Sequence, residues 1–110
     1  MPYIKPQSRE KLDDSINILA KQIVALSQQE EGEGVFAGLL NYSCTRLALA
    51  VIRLRFGHIR YWLIAIVAGV FSNVSGEFYR RLAAPYEDKQ IEKNGDVDLY
   101  KEFLKDIEGQ

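Results

Sequence analysis

The chain has 110 residues, of which 47% are hydrophobic and 26% are charged, and its formal net charge is −1. This length allows one domain with one core, and the near-neutral charge excludes the broad basic field on which nucleic-acid binding usually depends. One cysteine, Cys44, and one histidine exclude an internal disulfide and are too few for a structural zinc site. We therefore expect a cytoplasmic protein without a cofactor, a bound metal or a nucleic-acid partner.

Two features disfavour a membrane location. Residues 1–6 have no apolar core of the kind found in signal peptides. The longest apolar run, Tyr61 to Phe71, is shorter than the ~20 residues that a bilayer-spanning helix needs. We interpret this run as a buried helix and predict no membrane partner.

Apolar spacing predicts two long helices in the first half of the chain. The first begins near Pro6, which suits a first helical turn, with Ser8 as its capping residue. The glycine-rich acidic segment 28–34 predicts a loop. The second helix is predicted over 35–56 and is apolar over most of its circumference, which is typical of a helix at the centre of a fold or between subunits. The main apolar stripes are Leu12, Ile16, Leu19, Ile23 and Leu26 on the first helix, and Phe36, Leu40, Cys44, Leu47, Val51 and Leu54 on the second.

The third helix is predicted over 58–83 and carries a stripe of small residues besides an apolar one. Glycine lowers helix stability by roughly 1 kcal/mol relative to alanine. We therefore interpret two glycines in one stripe as a tight crossing with another helix, either within the chain or across a dimer axis. The small stripe is Ala65, Gly69, Ser72 and Gly76, and the apolar stripe is Ile59, Leu63, Ile66, Val70, Val74 and Phe78.

Pro85 predicts the end of the third helix, because it lacks a backbone donor and restricts the residue before it. A short helix is predicted over 85–93, closed by Asn94 and Gly95, and a last helix is predicted to be capped by Asp96. No strand-like alternation occurs. The prediction is an all-α fold, a compact helical bundle of three main helices plus one or two short C-terminal helices, in a single domain over residues 1–110.

Several segments together resemble a family of small uncharacterised proteins found in phages and prokaryotes. They are Leu40-Asn41-Tyr42 followed by Thr45, the segment Glu77-Phe78-Tyr79-Arg80-Arg81, Pro85-Tyr86-Glu87-Asp88 followed by Lys89, and Asn94-Gly95-Asp96-Val97. The resemblance covers most of the chain. It implies a domain of unknown function and brings no mechanism. Members often carry a carboxylate before the Glu-Phe-Tyr-Arg-Arg segment, where this chain has Ser72.

Polar residues at positions expected to be apolar mark a candidate ligand site. Glu77 falls beside the apolar stripe of the third helix, so we predict a partly buried carboxylate, which needs a cation or several donors. We predict a pocket between the second and third helices whose arginines suit a phosphate or carboxylate ligand. The same groups would also fit a structural network that fixes helix register. The candidate ligand-binding residues are Asn41, Tyr42, Thr45, Glu77, Tyr79, Arg80, Arg81 and Tyr86.

The leading hypothesis is a non-enzymatic, homo-oligomeric binding protein that holds a small anionic ligand, such as a nucleotide, or a protein partner. The alternative is a magnesium-dependent all-α nucleotide pyrophosphatase that uses Glu77, Glu87, Asp88 and Asp96. A third possibility is a purely structural interaction protein. The adjacent carboxylates Glu87 and Asp88 diverge by about 100° around a helix, which disfavours a shared metal ion. Cys44 is predicted to be a buried structural thiol.

Overall fold

A computed structural model describes all 110 residues, and it contains helices and no strands. The all-α prediction is therefore confirmed. The predicted number of helices is wrong, because the third helix continues through a π-helical turn into the fourth. The elements are α1 (Pro6–Ser27), α2 (Val35–Phe56), α3 (Tyr61–Phe78), the π-helical turn (Tyr79–Ala83), α4 (Ala84–Asn94) and α5 (Asp98–Glu108).

The bounds of α1 and α2 agree with the sequence prediction. Pro6 is the first residue of α1, whereas Ser8 lies inside the helix and does not cap it. Gly57 ends α2 with a φ of 81°, a conformation that favours glycine. Two hydrogen bonds fix this end, because the Gly57 N–H donates to the Arg53 carbonyl and Arg53 Nη1 donates to the Gly57 carbonyl at 2.6 Å.

The third helix begins at Tyr61 rather than at His58. The backbone carbonyl of Arg60 accepts the first helical hydrogen bonds, from the N–H groups of Leu63 and Ile64. Arg60 Nε also contacts His58 Nε2 at 3.0 Å. The three residues after Gly57 therefore form the connection between α2 and α3, and the predicted start was three residues early.

Pro85 does not end this helix, because a π-helical turn precedes it. The N–H group that follows Tyr79–Ala83 donates to the Tyr79 carbonyl, five residues earlier. In a regular α-helix the Pro85 ring would collide with the Arg81 carbonyl, to which proline also has no N–H to donate. The wider π-turn relieves this conflict. One continuous helix, Tyr61–Asn94, replaces the predicted third and fourth helices.

The last helix begins two residues later than Asp96, which does not cap it. Val97 occupies the N-cap position and makes no side-chain capping bond, while Asp96 Oδ1 accepts a hydrogen bond from the Val97 N–H at 2.7 Å. The predicted end of α4 at Asn94 and Gly95 is confirmed. Gly95 adopts φ 85° and ψ 155°, a region essentially restricted to glycine.

The chain divides into two units, Met1–Val70 and Phe71–Gln110. In the first unit α1 packs against α2, and Phe56 meets Trp62 edge-to-face with ring centroids 5.4 Å apart. Arg55 lies over the Phe56 ring at 4.9 Å. Ile52 and Leu63 are the only buried hydrophobic residues of the chain, and both belong to the first unit. In the second unit no residue is buried.

The main apolar stripe of α2 is exposed along its whole length. The exposed fraction is 47% for Leu40, 57% for Leu47 and 88% for Leu54. Cys44 lies in the same stripe and is also exposed, so the predicted burial of its thiol is wrong for the single chain. Much of this apolar stripe is therefore open to solvent in the single chain.

Two helices, Val35–Phe56 and Tyr61–Asn94, are long and apolar enough to cross a membrane. Only 6% of the most apolar window of each helix is buried. Length and composition are the basis of this finding, and the core helix of a soluble protein meets the same criteria.

Candidate ligand-binding surfaces

The π-helical turn brings together two side chains that a regular helix would separate. Glu87 follows Tyr79 by eight positions, which places them about 80° apart around an unbroken α-helix. The extra residue of the π-turn rotates the following helix back by about 100°, so that the two positions nearly align. Tyr79 Oη accordingly donates a hydrogen bond to Glu87 Oε2 at 3.1 Å. The sequence-predicted residue Tyr79 thus belongs to a defined local structure.

The hydrogen bond to Glu87 raises the pKa of Tyr79 above its ordinary value of 10, and the negative charges of Glu87 and Asp88 act in the same direction. Because the protonated phenol is the donor, this interaction contributes to stability below pH 10. The contribution disappears as the pH rises through the raised pKa of Tyr79 in the folded protein.

Replacing Glu87 with alanine is expected to lower the pKa of Tyr79 toward its ordinary value, since both the hydrogen bond and the nearest charge are lost. Replacing Asp88 with asparagine should lower it less, because Asp88 acts only through its charge. A pH titration followed by NMR of labelled tyrosine rings measures both effects, with Tyr79→Phe identifying the resonance. An unchanged pKa in the Glu87→Ala variant would show that the hydrogen bond does not form in solution.

Glu77 and Arg80 form a paired fork on the exposed side of the same helix. Arg80 Nε donates to Glu77 Oε1 at 3.2 Å, and Arg80 Nη2 donates to Glu77 Oε2 at 3.1 Å. The Glu77 side chain is 28% exposed and that of Arg80 is 63% exposed. The carboxylate of Glu77, which we predicted to be partly buried, is thus paired with Arg80, three residues later. The pairing fixes the orientation of the Arg80 guanidinium.

Arg81, the residue after this pair, makes no hydrogen bond or ion pair within the chain. Tyr86, in the first turn of α4, is 65% exposed. We call this group the π-turn cluster, and it consists of Glu77, Tyr79, Arg80, Arg81, Tyr86 and Glu87. Within it, Arg81 is the guanidinium that remains available to an external anion.

The other three predicted site residues lie on α2, in the first unit. Thr45 Oγ1 donates to the Asn41 carbonyl at 2.8 Å and lies 3.4 Å from Asn41 Oδ1, so this hydroxyl is satisfied within the helix. Tyr42 is 63% exposed. These residues and the π-turn cluster belong to different units, and their union in one pocket stays a prediction.

Tyr42 and Thr45 line an open depression of about 710 Å³ along α2. Two arginines, Arg46 and Arg53, also line it, and Arg53 is held by its bond to the Gly57 carbonyl. We call this feature the α2 depression. Its remaining lining residues are Leu49, Ala50, Ile52, Leu54, His58 and Ile59.

Residues 1–97 match the family described as a domain of unknown function, DUF6899. The chain belongs to this family. The DUF6899 segment includes both the π-turn cluster and the α2 depression, whereas α5 follows it. No curated protein and no solved structure matches the chain.

Sequence reasoning left two features of these DUF6899 surfaces unassigned. Arg46 follows Thr45 directly and was not placed among the candidate ligand-binding residues, although the structure places it in the lining of the α2 depression. No sequence signal predicted the contact of Glu87 with Tyr79, because regular helical spacing separates the two positions. No group of three or more His, Cys, Asp or Glu residues in the chain is placed to hold a metal ion.

Proposed function

We propose that this DUF6899 protein is a homo-oligomeric, non-enzymatic binding protein of the cytoplasm, in a prokaryotic or phage setting as the family resemblance suggests. Copies associate through the apolar stripes of α2 and α3 and so complete a compact helical bundle. Arg81 and its neighbours then hold a small anionic ligand, for example a nucleotide, or an acidic group of a protein partner. The apolar surface that the single chain leaves exposed is the observation that carries this proposal.

The exposed apolar stripe of α2 supports association. In the single chain the exposed fraction is 47% for Leu40, 57% for Leu47 and 88% for Leu54. Burial of apolar surface is favourable by roughly 25 cal/mol per Å². A second copy that covers this stripe is therefore stabilised by its apolar side chains.

The charge on α2 favours a protein environment over lipid for this stripe. Arg46 lies near the middle of Val35–Phe56. An arginine at the centre of a membrane helix costs roughly 2.5–3.5 kcal/mol on insertion scales, unless it finds a partner or reaches the interface. In an assembly of copies, the same guanidinium can remain at a wet edge. We therefore propose a second copy as the occupant of the stripe.

The π-turn cluster supports the ligand part of the proposal. Glu77 neutralises Arg80 and positions it, while Arg81 has no partner within the chain. A planar guanidinium with free donors suits the oxygens of a phosphate or carboxylate. The exposed rings of Tyr79 and Tyr86 offer stacking surfaces beside it, which would suit a nucleobase.

A thermal-shift screen tests the ligand. Nucleotides, cyclic dinucleotides and sugar phosphates are added with and without magnesium, and a ligand at ~100 times its dissociation constant should stabilise the fold by about 2.7 kcal/mol. Arg81→Ala should abolish the shift, and Arg9→Ala, which removes an exposed arginine of α1, should preserve it.

Three results would contradict the ligand proposal. A shift that persists in Arg81→Ala would place the ligand elsewhere, and no shift with any compound would remove small anions from the proposal. A shift that requires magnesium, followed by hydrolysis of the nucleotide, would replace it with the pyrophosphatase alternative.

A further inference from the structure

The carboxy-terminal helix α5 has an apolar row that nothing in its unit covers. Leu99, Phe103 and Ile107 follow at steps of four and therefore share one face of the helix. Their exposed fractions are 56%, 61% and 64%. An eleven-residue helix of this kind is too short to be stable alone in water, and its stability depends on burying such a face.

One flank of this row is acidic. Asp98, Glu102 and Asp106 also follow at steps of four and form one flank, whereas Lys101 and Lys105 lie on the side of the helix opposite the apolar row. Glu102 and Asp106 form no ion pair within the chain. The helix therefore presents a row of carboxylates beside a row of apolar side chains.

The α2 depression has the complementary pattern. Its floor is apolar, and Arg46 and Arg53 stand seven residues apart on α2, about 10.5 Å along the axis. The carboxylate row from Asp98 to Asp106 spans about 12 Å by the same rise. Arg46 makes no hydrogen bond or ion pair within the chain, and Arg53 is oriented by the Gly57 carbonyl. Spacing and charge therefore match between the two surfaces.

We infer that α5 of a second copy lies in the α2 depression, with its apolar row on the floor and its carboxylates against Arg46 and Arg53. This inference rests on the proposed homo-oligomer and adds a further contact between the copies, besides the apolar stripes of α2 and α3. It follows the recognition of an amphipathic helix by an apolar groove, in which spaced apolar anchors supply affinity and flanking charges fix the register.

Two charge-reversed variants test the contact. The first carries Arg46→Glu and Arg53→Glu, and the second carries Glu102→Lys and Asp106→Lys. Each alone should raise the dissociation constant of the assembly at least tenfold, measured by light scattering over a dilution series. An equal mixture should recover wild-type affinity within a few fold, because every contact between unlike copies again joins opposite charges. Reversing Lys101 and Lys105, on the side of α5 opposite the apolar row, should change the affinity less than threefold.

A disulfide test does not depend on the charge variants. In a Cys44→Ser background, one tagged chain carries Leu49→Cys and a second carries Phe103→Cys. Mild oxidation of the mixture should join the two different chains in a higher yield than either chain with itself.

The outcomes separate this inference from the proposed function. A monomeric wild type would overturn both. A wild-type oligomer whose affinity neither charge variant changes would overturn the contact alone. Recovery only when all four reversals occupy one chain, without a cross-link between unlike chains, would place α5 in the depression of its own chain and would also overturn the contact with a second copy.

Discussion

Replacing Leu47 with glutamate is expected to dissociate the protein into monomers at micromolar concentration. In the single chain Leu47 is 57% exposed and belongs to the main apolar stripe of α2. Surface substitutions at positions without neighbours usually change stability by no more than ~0.5 kcal/mol. In a monomer the substitution should therefore hardly change stability, whereas in the proposed assembly it should strongly weaken association.

The size of the effect follows from the buried carboxylate. Full burial of a leucine side chain is worth roughly 1.5–3 kcal/mol, and an unpaired charge in an apolar interface costs several kcal/mol more. A symmetric assembly contains the change at least twice. A loss of about 4 kcal/mol or more would raise the dissociation constant by roughly a thousandfold.

Light scattering after size exclusion measures the mass of the wild type and of the variant, and circular dichroism reports whether the variant remains helical. Asn17→Glu, an equal charge change at an exposed position of α1 away from its apolar stripe, is the matched control and should keep the wild-type mass. Leu47→Ala should weaken association by a smaller factor. A wild type that is monomeric, or a Leu47→Glu variant that keeps the wild-type mass, would contradict the proposal.

The parts of the fold that the sequence predicts well are those that local signals determine. The bounds of α1 and α2 follow from apolar periodicity, from Pro6 and from Gly57, and none of these signals depends on distant contacts. Pro85 correctly indicated a disturbance of the regular helix, but a helix can accommodate a proline in more than one way. The π-turn accommodates Pro85 without ending the helix, and whether such a turn forms depends on the geometry of all its residues.

The contacts of the candidate site likewise include one that local spacing predicts and one that it does not. The Glu77–Arg80 pair joins residues three apart on a helix, so regular spacing suffices to predict that they are neighbours. The Tyr79–Glu87 bond requires the π-turn and lay outside that reasoning. The predicted burial of Cys44 failed in the single chain because a stripe of apolar residues does not reveal whether its partner is the same chain or another copy.

Replacing Gly69 with leucine tests which partner the small-residue stripe of α3 meets. In the single chain nothing lies within 4 Å of a Cβ built at Gly69. Leucine is a better helix former than glycine by roughly 0.8 kcal/mol, so the substitution should stabilise an isolated helix. A helix of a second copy that crosses at Gly69 would instead collide with the new side chain, and overpacking costs about 1–3 kcal/mol at each such contact.

We expect the collision to dominate, so that Gly69→Leu lowers the melting temperature and weakens association. Gly38→Leu is the matched control, since Gly38 lies on α2 with the same open surroundings, away from the apolar stripe of that helix. It should raise the melting temperature or leave it unchanged. The sign of the change in melting temperature shows whether a second helix crosses at Gly69. The gain in helix propensity is the same at both glycines, whereas a crossing affects Gly69 alone. If Gly69→Leu stabilised the protein as much as Gly38→Leu, no second helix would cross at that stripe, and the association would have to use other surfaces.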